Sequence, residues 1–322
     1  MAATRHPGSC LQHDGLFYRT DEEYLLGVGG FIQEGLDVGD PVYVAVPPDR
    51  ITLLRAGLAD AADVHFFDVT HVGRNPSCLM PMIQDFLDEH PTAHTRFVGE
   101  PIWPGRSRPE IEEATTHEAL KNVAFASADA AILCPYRADQ LPVSVLEDAE
   151  RTHPTLLTTA GAHPSSRYAD AVAFCAADNW PLSSPPPHGV TRLSTPDMRG
   201  IRQFVGAQAL RWGLPRNRAA DLVLAVVELC TNTLRHADDV PELLLWREGD
   251  EVVAEIRDSG TITDPLAGRR RAGPLDESGR GLMLVNQLCD LVQIRSAEQS
   301  GTTVRIHVGV ATVGADMVSA TG

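Results

Sequence analysis

The chain has 322 residues, of which 43% are hydrophobic, and its 27 basic and 43 acidic residues give a formal net charge of −16. That charge disfavours nucleic acids and acidic membrane surfaces as partners, because contacts with phosphates need a dense basic surface. Lys121 is the only lysine, and no glycine-rich loop precedes it, which excludes a P-loop of the Walker A type.

The composition also indicates the cellular compartment of the protein. Residues 1–10 contain no apolar run, and no segment reaches the roughly 18 uninterrupted apolar residues of a membrane span. The six cysteines form no CxxC pair, so neither a zinc motif nor a dithiol redox motif is expected. These features predict a cytoplasmic protein with reduced thiols and no membrane contact.

The first half of the chain alternates helix and strand patterns. The amphipathic segment 21–36 predicts a helix whose N-cap is Thr20 or Asp21. The elements predicted after it are strand 40–48, helix 49–58, strand 63–70, helix 76–90, strand 95–103, helix 110–128, strand 130–136 and helix 141–154. This alternation favours an α/β domain with a mostly parallel sheet.

A proline-rich segment, WPLSSPPPH at residues 180–188, separates the two halves. Its prolines can continue neither a helix nor a central strand. The charge changes at the same place, since residues 1–188 carry a net −14 and residues 189–322 a net −2. We therefore predict two domains, with residues 181–194 as the linker between them.

The second half shows helices followed by strands. The predicted elements are helices 196–213 and 215–237, strands 242–249 and 251–260, a loop at 263–277, helix 279–294 and strand 301–310. Helices followed by an antiparallel sheet indicate an α+β two-layer sandwich. The loop is longer than most connections between elements, which suggests a functional lid.

Three polar residues share one face of the helix at 215–237. Glu228, Asn232 and His236 are spaced i, i+4, i+8. A carboxylate and a carboxamide one turn apart can hold Mg²⁺ and a water or hydroxyl, and the carboxylate can act as a general base. A solvated helix face has the same spacing, so the pattern is informative only together with other motifs.

Three short motifs follow in chain order. Residues 258–260, DSG, end a predicted strand, where the carboxylate can accept a hydrogen bond from an exocyclic amine. Residues 279–281, GRG, open a predicted helix, whose glycines and free N–H groups suit a phosphate. Residues 301–303, GTT, begin the last strand. Each motif alone is ordinary turn or helix-entry sequence, and the signal lies in their order and spacing.

In this order, the segments DLVLAVVELCTNTLRHA, EIRDSG, GRGLMLV and GTTVRIHV resemble the GHKL (Bergerat) ATPase fold, and more closely the anti-sigma-factor serine kinases of RsbW type. The similarity covers residues 195–311 and leaves residues 312–322 as a flexible tail. It implies binding of ATP with Mg²⁺. It also implies a sigma factor, an anti-anti-sigma (STAS) protein phosphorylated on serine, or both, as partners.

The resemblance assigns roles to the motif residues. Glu228 would be the catalytic base, and Asn232 would be the Mg²⁺ ligand. The residues that would bind the nucleotide are Asp258, Gly260 and Thr302 at the adenine and Gly279, Arg280 and Gly281 at the phosphates. Ile262 stands where the family often has a second glycine, which affects the expected hinge of the lid. The run 269–271, three arginines in the lid, is expected to be a solvated charge run, and the alternative is contact with nucleotide phosphates or with an acidic partner.

The first half resembles a second family. The segments HDGLFYRTDEEYLLGVGGFIQEGLDVGDPVYVAV, RFVGEPIW, EALKNVAF, LCPY and THP are similar to the MEDS sensory domain. This resemblance implies a RecA-like fold without a P-loop over residues 1–180, responding to a small-molecule signal. Polar residues in these motifs are His13, Arg96, Glu100, Glu118, Asn122, Tyr136 and His153. Of these, His13, Arg96, Glu100 and His153 are the candidate ligand residues. For Arg96 and Glu100, a salt-bridged structural motif is an equal alternative.

Two other functions stay open on the sequence. A sensor histidine kinase needs a phosphoacceptor histidine on a helical hairpin before the ATPase domain, whereas His188 lies in proline-rich coil. A non-catalytic module could use the ATP fold only to hold partners. The apolar face of the helix at 196–212 could also support a homodimer, as RsbW-type kinases often dimerise.

Overall fold

The chain divides into two units, Met1–Asp178 and Asn179–Gly322. The computed structural model describes residues 11–158, 161–177, 182–237, 239–271 and 279–310. The expectations for residues 1–10, for the tail at 312–322 and for part of the proposed lid at 272–278 lie outside these ranges.

The first unit is built on a mostly parallel sheet. Within the described residues, its strands are β1 (Leu11–Tyr18), β2 (Val42–Val46), β3 (His65–Asp68), β4 (Thr95–Gly99), β5 (Ala130–Arg137), β6 (Thr155–Thr158) and β7 (Gly161–Pro164). They lie in the order β3-β2-β4-β5-β1-β6-β7, and only the β6–β7 pair is antiparallel. The predicted mostly parallel α/β sheet is therefore confirmed.

Helices alternate with these strands. They are α1 (Asp21–Tyr24), a π-helical turn (Leu25–Gly29), α2 (Gly30–Val38), α3 (Pro48–Gly57), α4 (Val69–Val72), α5 (Leu79–Glu89), α6 (Arg108–Ala124), α7 (Val143–Thr152) and α8 (Ala171–Ala177). The Thr20 hydroxyl caps the first of them by accepting the Glu23 N–H at 3.2 Å. Val28 and Ile32 pack in one core cluster with Val44 and Val98 of the sheet.

Strand β1 is central to the sheet, lying between β5 and β6, although the hydropathy pattern did not predict it. His13 and Asp14 are adjacent and both are buried in this strand. Two neighbouring polar residues break the alternation that marks a strand, because they lie on opposite faces that are normally apolar.

The second unit is an antiparallel sheet with helices on one face. Its described elements are β8 (Thr191–Ser194), α9 (Met198–Arg211), α10 (Arg216–His236), β9 (Glu242–Glu248), β10 (Glu251–Asp258), α11 (Arg280–Leu288), β11 (Leu291–Ala297) and β12 (Gly301–Gly309). The strands lie in the order β11-β12-β10-β9-β8. One cluster of buried side chains, including Val205, Leu222, Val285 and Ile306, joins the helices to the sheet. The α+β arrangement of helices on an antiparallel sheet is confirmed.

The predicted linker 181–194 contributes to this second sheet. Its residues Thr191–Ser194 form the edge strand β8. On the other face of the sheet, Arg305 donates to the backbone carbonyl of Ser183 at 2.6 Å and lies over the Trp246 ring. The described part of the segment is therefore attached to the second unit rather than extended as a free spacer.

The predicted helix 279–294 is wrong in its second half. Helix α11 ends at Leu288, and the chain continues as strand β11. Asp290 fixes this break, because its carboxylate pairs with Arg218 at 2.8 Å and accepts the Gly309 N–H. These partners lie far away in the sequence, so a continuous apolar run was taken for one helix.

The described helices are shorter or more polar than a membrane-spanning helix. None of them is both long enough and apolar enough to cross a bilayer.

Candidate functional site

Helix α10 carries the polar face predicted from the sequence. Glu228 and Asn232 are half-buried, and His236 is exposed at the helix end. The opposite face of the helix buries Leu222 and Val226 in the core of the second unit. Burial of that apolar face fixes the rotation of the helix, so Glu228 and Asn232 project together from the opposite side.

The start of helix α11 lies directly against the Glu228 carboxylate. A Cβ atom built on Gly281 would overlap the Glu228 carboxylate oxygen. A side chain at this position would require Glu228 to shift, so glycine favours this approach of backbone to carboxylate. The structure therefore brings together Glu228 from the first motif and Gly281 from the third.

Gly279 is the N-cap of α11 and has a left-handed φ of 96°. The first intrahelical bond runs from Met283 N–H to Gly279 O at 3.0 Å, so the N–H groups before it have no partner within the helix. Arg280, the first helical residue, is exposed. Free N–H groups at a helix start attract an anion such as a phosphate.

Asp258, at the end of β10, is held by two hydrogen bonds. Its Oδ2 accepts the Thr233 hydroxyl at 2.7 Å, and its Oδ1 accepts the Gly260 N–H at 2.9 Å. Thr233 directly follows Asn232 on α10, which connects this carboxylate to the helix that carries Glu228. A carboxylate oxygen accepts more than one hydrogen bond, so Asp258 retains capacity for a ligand amine.

Thr302 supports the loop after Asp258. Its hydroxyl donates to the Gly260 carbonyl at 2.8 Å and lies 2.8 Å from the Ser296 hydroxyl. The Ile262 N–H donates to the same Ser296 oxygen at 2.8 Å. The backbone at Ile262, where the family often has glycine, is thus tied into the network that holds Gly260.

Two residues of this network, Thr233 and Ser296, were not predicted from the sequence. Thr233 is buried on the side of α10 that faces the sheet. Ser296 lies near the end of β11, a strand whose first four residues were predicted as helix and whose other residues were assigned to no element. A hydroxyl one residue after Asn232 was the available signal for Thr233. Ser296 offered none, because its partners depend on the strand pairing of β11 with β12.

The described part of the proposed lid packs on α11. Asn286 is buried and donates to the Gly268 carbonyl at 2.9 Å, and Gly268 has a left-handed φ of 72°. Arg269 is only 4% exposed, so the interpretation of a solvated charge run is wrong for it. Arg270 and Arg271 are exposed.

The chemistry of these groups fits a magnesium nucleotide. Glu228 and Asn232 offer the oxygen ligands that Mg²⁺ prefers. The start of α11, where Gly279 and Gly281 have no side chains of their own, suits phosphates. Asp258 offers an acceptor for an exocyclic amine, as adenine carries.

The four candidate sensory residues of the first unit do not form one site. His13 and His153 lie together, with ring centroids 4.2 Å apart. Arg96 lies elsewhere, paired with Asp40 at 3.0 Å and donating to a backbone carbonyl. For Arg96, the structure shows the salt-bridged structural motif.

Glu100 follows β4 and has surroundings of its own. It is 1% exposed, and its Oε1 accepts the Tyr18 hydroxyl at 3.0 Å. Burial raises the pKa of Glu100 to about 8, although the bond from Tyr18 opposes that rise. The carboxyl is therefore mostly protonated at neutral pH, a state typical of functional sites as well as of buried structural acids.

This raised pKa predicts a pH dependence of stability. The folded protein holds a proton on Glu100 that the unfolded chain releases, so the stabilisation is full below about pH 4.5 and is lost as pH rises through about 8. Relative to Glu100→Gln, the wild-type free energy of unfolding should fall by up to about 1.4 kcal/mol per pH unit in that window. Urea unfolding across this range measures it. The exposed Glu147→Gln is the control, and parallel wild-type and Glu100→Gln curves would contradict the assignment.

Two family matches cover most of the chain. Residues 12–154 match the family described as "MEDS: MEthanogen/methylotroph, DcmR Sensory domain". Residues 192–308 match the "Histidine kinase-like ATPase domain". Both resemblances drawn from the sequence are thereby confirmed.

Curated relatives match the second unit. The serine-protein kinase RsbW of a Bacillus cereus strain is 33% identical over 119 residues, which cover 32% of this chain and 72% of the relative. The serine-protein kinase RsbW of Halalkalibacterium halodurans is 31% identical over 118 residues, covering 32% of this chain and 70% of the relative.

Proposed function

Because the second unit of this chain belongs to the family of the RsbW serine-protein kinases, we propose that the protein is a signal-responsive serine kinase and anti-sigma factor. It would bind ATP and phosphorylate a serine of an anti-anti-sigma (STAS) protein, bind a sigma factor, or do both. The proposal rests on one observation, the contact between the Glu228 carboxylate and the start of α11 at Gly281.

Glu228 would act as the general base. Its carboxylate accepts the proton of the substrate serine hydroxyl as the serine oxygen bonds to the γ-phosphorus, and the bond from that phosphorus to the bridging oxygen breaks to leave ADP. Positioning and charge stabilisation dominate such transfers. Glu228 therefore needs to be held in place, which burial of the opposite face of α10 and the contact with Gly281 provide.

The other motif residues would bind and orient the nucleotide. Asn232 would hold Mg²⁺, which when bound neutralises charge on the phosphates. The N–H groups and glycines at the start of α11 would hold the phosphates, together with Arg280. Asp258 would accept the adenine amine, and Thr302 would keep Gly260 beneath the ring through its bond to the Gly260 carbonyl.

The first unit would supply the signal. Its MEDS match implies a sensory role, and a small molecule bound there would change which partner complex of the second unit is favoured. We propose that this regulation takes place in the cytoplasm, where ATP and sigma factors are found.

A homodimer also remains a prediction. On the surface of α9 and α10, Leu210 is 50% exposed and Leu224 is 43% exposed. Light scattering on the purified chain, with Leu210→Glu for comparison, would test whether this surface joins two copies.

Two measurements test the proposed function. Calorimetry should show ATP binding to the full chain with Mg²⁺, and absence of binding would refute the proposal. Labelled ATP should transfer phosphate to a candidate STAS protein but not to its Ser→Ala variant. Acid-labile phosphate on the chain itself would favour a histidine kinase instead. ATP binding without transfer to any STAS protein would favour a non-catalytic module.

Asp258→Asn should weaken ATP binding by about 10- to 100-fold. A hydrogen bond to a charged group contributes about 1.5–3 kcal/mol, and the amide replaces one acceptor oxygen by a donor. Calorimetry with ATP measures the loss. Asp250→Asn, at an exposed turn, is the matched control and should bind as wild type. Equal affinity of the Asp258 variant and the wild type would show that the adenine lies elsewhere.

A further inference from the structure

A cluster of ligating side chains is buried in the first unit, away from the proposed nucleotide site. It consists of His13 on β1, Glu118 and Lys121 on α6, Cys134 on β5 and His153 just before β6. Each of these five side chains belongs to a residue that is at most 2% exposed. The cluster brings together residues from three elements and from the connection between α7 and β6.

The donor atoms have the spacing of metal ligands. His13 Nε2 lies 3.3 Å from Glu118 Oε2 and 3.4 Å from Cys134 Sγ, and His153 Nε2 lies 3.2 Å from the same Glu118 oxygen. All four donor atoms lie within 4.8 Å of one another. Ligands bonded to a tetrahedral ion at about 2.0–2.3 Å are themselves separated by about 3.3–3.8 Å.

The protonation of His13 is fixed from outside the cluster. Its Nδ1 lies 3.0 Å from Asn122 Oδ1. The Asn122 amide nitrogen donates to the carbonyls of Thr152 and Ala119, so its oxygen is the end that faces His13. His13 therefore donates from Nδ1. Its Nε2 is therefore the ring nitrogen that points into the cluster, toward Glu118 and Cys134.

His153 is held in the same way. Its Nδ1 lies 2.8 Å from the Ala149 carbonyl, which can only accept, so Nδ1 carries the proton. Its Nε2 has no hydrogen-bond partner among the described residues, although Glu118 Oε2 is 3.2 Å away. This Nε2 points into the cluster, as the Nε2 of His13 does.

Two imidazole Nε2 atoms and one sulfur thus converge on a single buried carboxylate, whose charge needs a cation beside it. Lys121 meets part of this need, since its ammonium lies 2.8 Å from Glu118 Oε2 and 3.0 Å from Cys134 Sγ. It leaves Glu118 Oε1 without a hydrogen-bond partner within the described residues. An Nε2 donor whose Nδ1–H is bonded to a carbonyl or amide oxygen is the usual arrangement of a metal-bound histidine.

We propose that His13, Glu118, Cys134 and His153 bind a first-row divalent transition metal ion, with Zn²⁺ as the best fit. Two imidazole nitrogens, one sulfur and one carboxylate oxygen suit a tetrahedral ion of this class. Mg²⁺ and Ca²⁺ are excluded, because they take oxygen ligands. The site is distinct from the proposed nucleotide site and does not depend on kinase activity.

Metal binding releases one proton and leaves the cluster with one net positive charge, which is that of Lys121. The Cys134 thiol releases its proton to solvent as the sulfur bonds to the metal, so that the thiolate and the Glu118 carboxylate offset the two positive charges. Lys121 remains as a donor to the thiolate and the carboxylate. Gly15 leaves room for His153, since a Cβ there would lie 3.2 Å from the imidazole Cγ.

Cobalt provides the test. The full chain, stripped of metal by a chelator, is titrated with Co²⁺ both as folded protein and during refolding, so that a buried site is reached. We expect one equivalent of Co²⁺ to give tetrahedral visible bands and a thiolate-to-metal charge-transfer band, both removed by one equivalent of Zn²⁺. Their absence under both conditions would overturn the proposal.

Variants assign the ligands. Cys134→Ser should remove the charge-transfer band, whereas Cys78→Ser, a cysteine of the same unit outside the cluster, should keep it. A band that survives Cys134→Ser would overturn the assignment. If Cys134→Ser does not fold, X-ray absorption of the zinc-loaded wild type decides instead. One sulfur with nitrogen and oxygen neighbours supports the site, and a shell without sulfur refutes it.

Discussion

Glu228→Gln is expected to lower the rate of phosphoryl transfer to a STAS protein by about 10²- to 10⁴-fold, which is the usual contribution of a general base. The amide cannot accept the serine proton. It keeps the shape of the carboxylate, so the contact with Gly281 persists and ATP affinity should change little. A single-turnover assay with labelled ATP, paired with calorimetry, measures both quantities.

The control for this variant is Glu298→Gln. Glu298 is an exposed carboxylate between β11 and β12 in the same unit, and its loss should alter neither rate nor affinity. A Glu228→Gln protein that transfers phosphate at the wild-type rate would show that another group takes the proton. Loss of ATP binding in this variant would instead mean that Glu228 supports the site rather than the reaction.

The residues of the proposed nucleotide site could be selected from the sequence because their placement depends on local geometry. Glu228 and Asn232 share a face by helical periodicity, and Gly279 and Gly281 mark the start of a helix. The contacts that hold the site were not predictable. Thr233 with Asp258, and Ser296 with Thr302, depend on packing between elements that are distant in sequence.

The cluster of the first unit was only half visible in the sequence. His13 and His153 were candidates through family resemblance, but the missing CxxC pair argued against a zinc motif. Glu118 and Lys121, three residues apart on α6, have the pattern of an exposed ion pair, yet both are 1% exposed. Burial of an ion pair is set by tertiary packing, which periodicity does not report.

Lys121 compensates a buried charge in this cluster. It is the only lysine of the chain and belongs to no P-loop. In the structure its ammonium lies 2.8 Å from a Glu118 carboxylate oxygen. Burial alone would raise the pKa of Glu118, but Lys121 and the two histidines outweigh it and hold that pKa well below its usual value. Glu118 is therefore ionised in the interior, with Lys121 as its compensating charge.

Lys121→Met should therefore lower the free energy of unfolding of the metal-free protein by about 3–5 kcal/mol, the usual cost of leaving a buried charge uncompensated. Methionine keeps most of the apolar stem, so the loss reports the charge rather than a cavity. Adding Glu118→Gln to this variant should recover much of the loss, because no unpaired charge then remains. Urea unfolding of the wild type, both single variants and the double variant in chelator gives the coupling between the two residues.

The surface ion pair of Arg167 with Glu150 provides the comparison for this cycle. Arg167→Met should change stability little, because exposed pairs are screened by solvent. An equally small effect of Lys121→Met would mean that the carboxyl of Glu118 is protonated in the folded protein. The cluster would then lack the buried negative charge that favours a metal ion at this site.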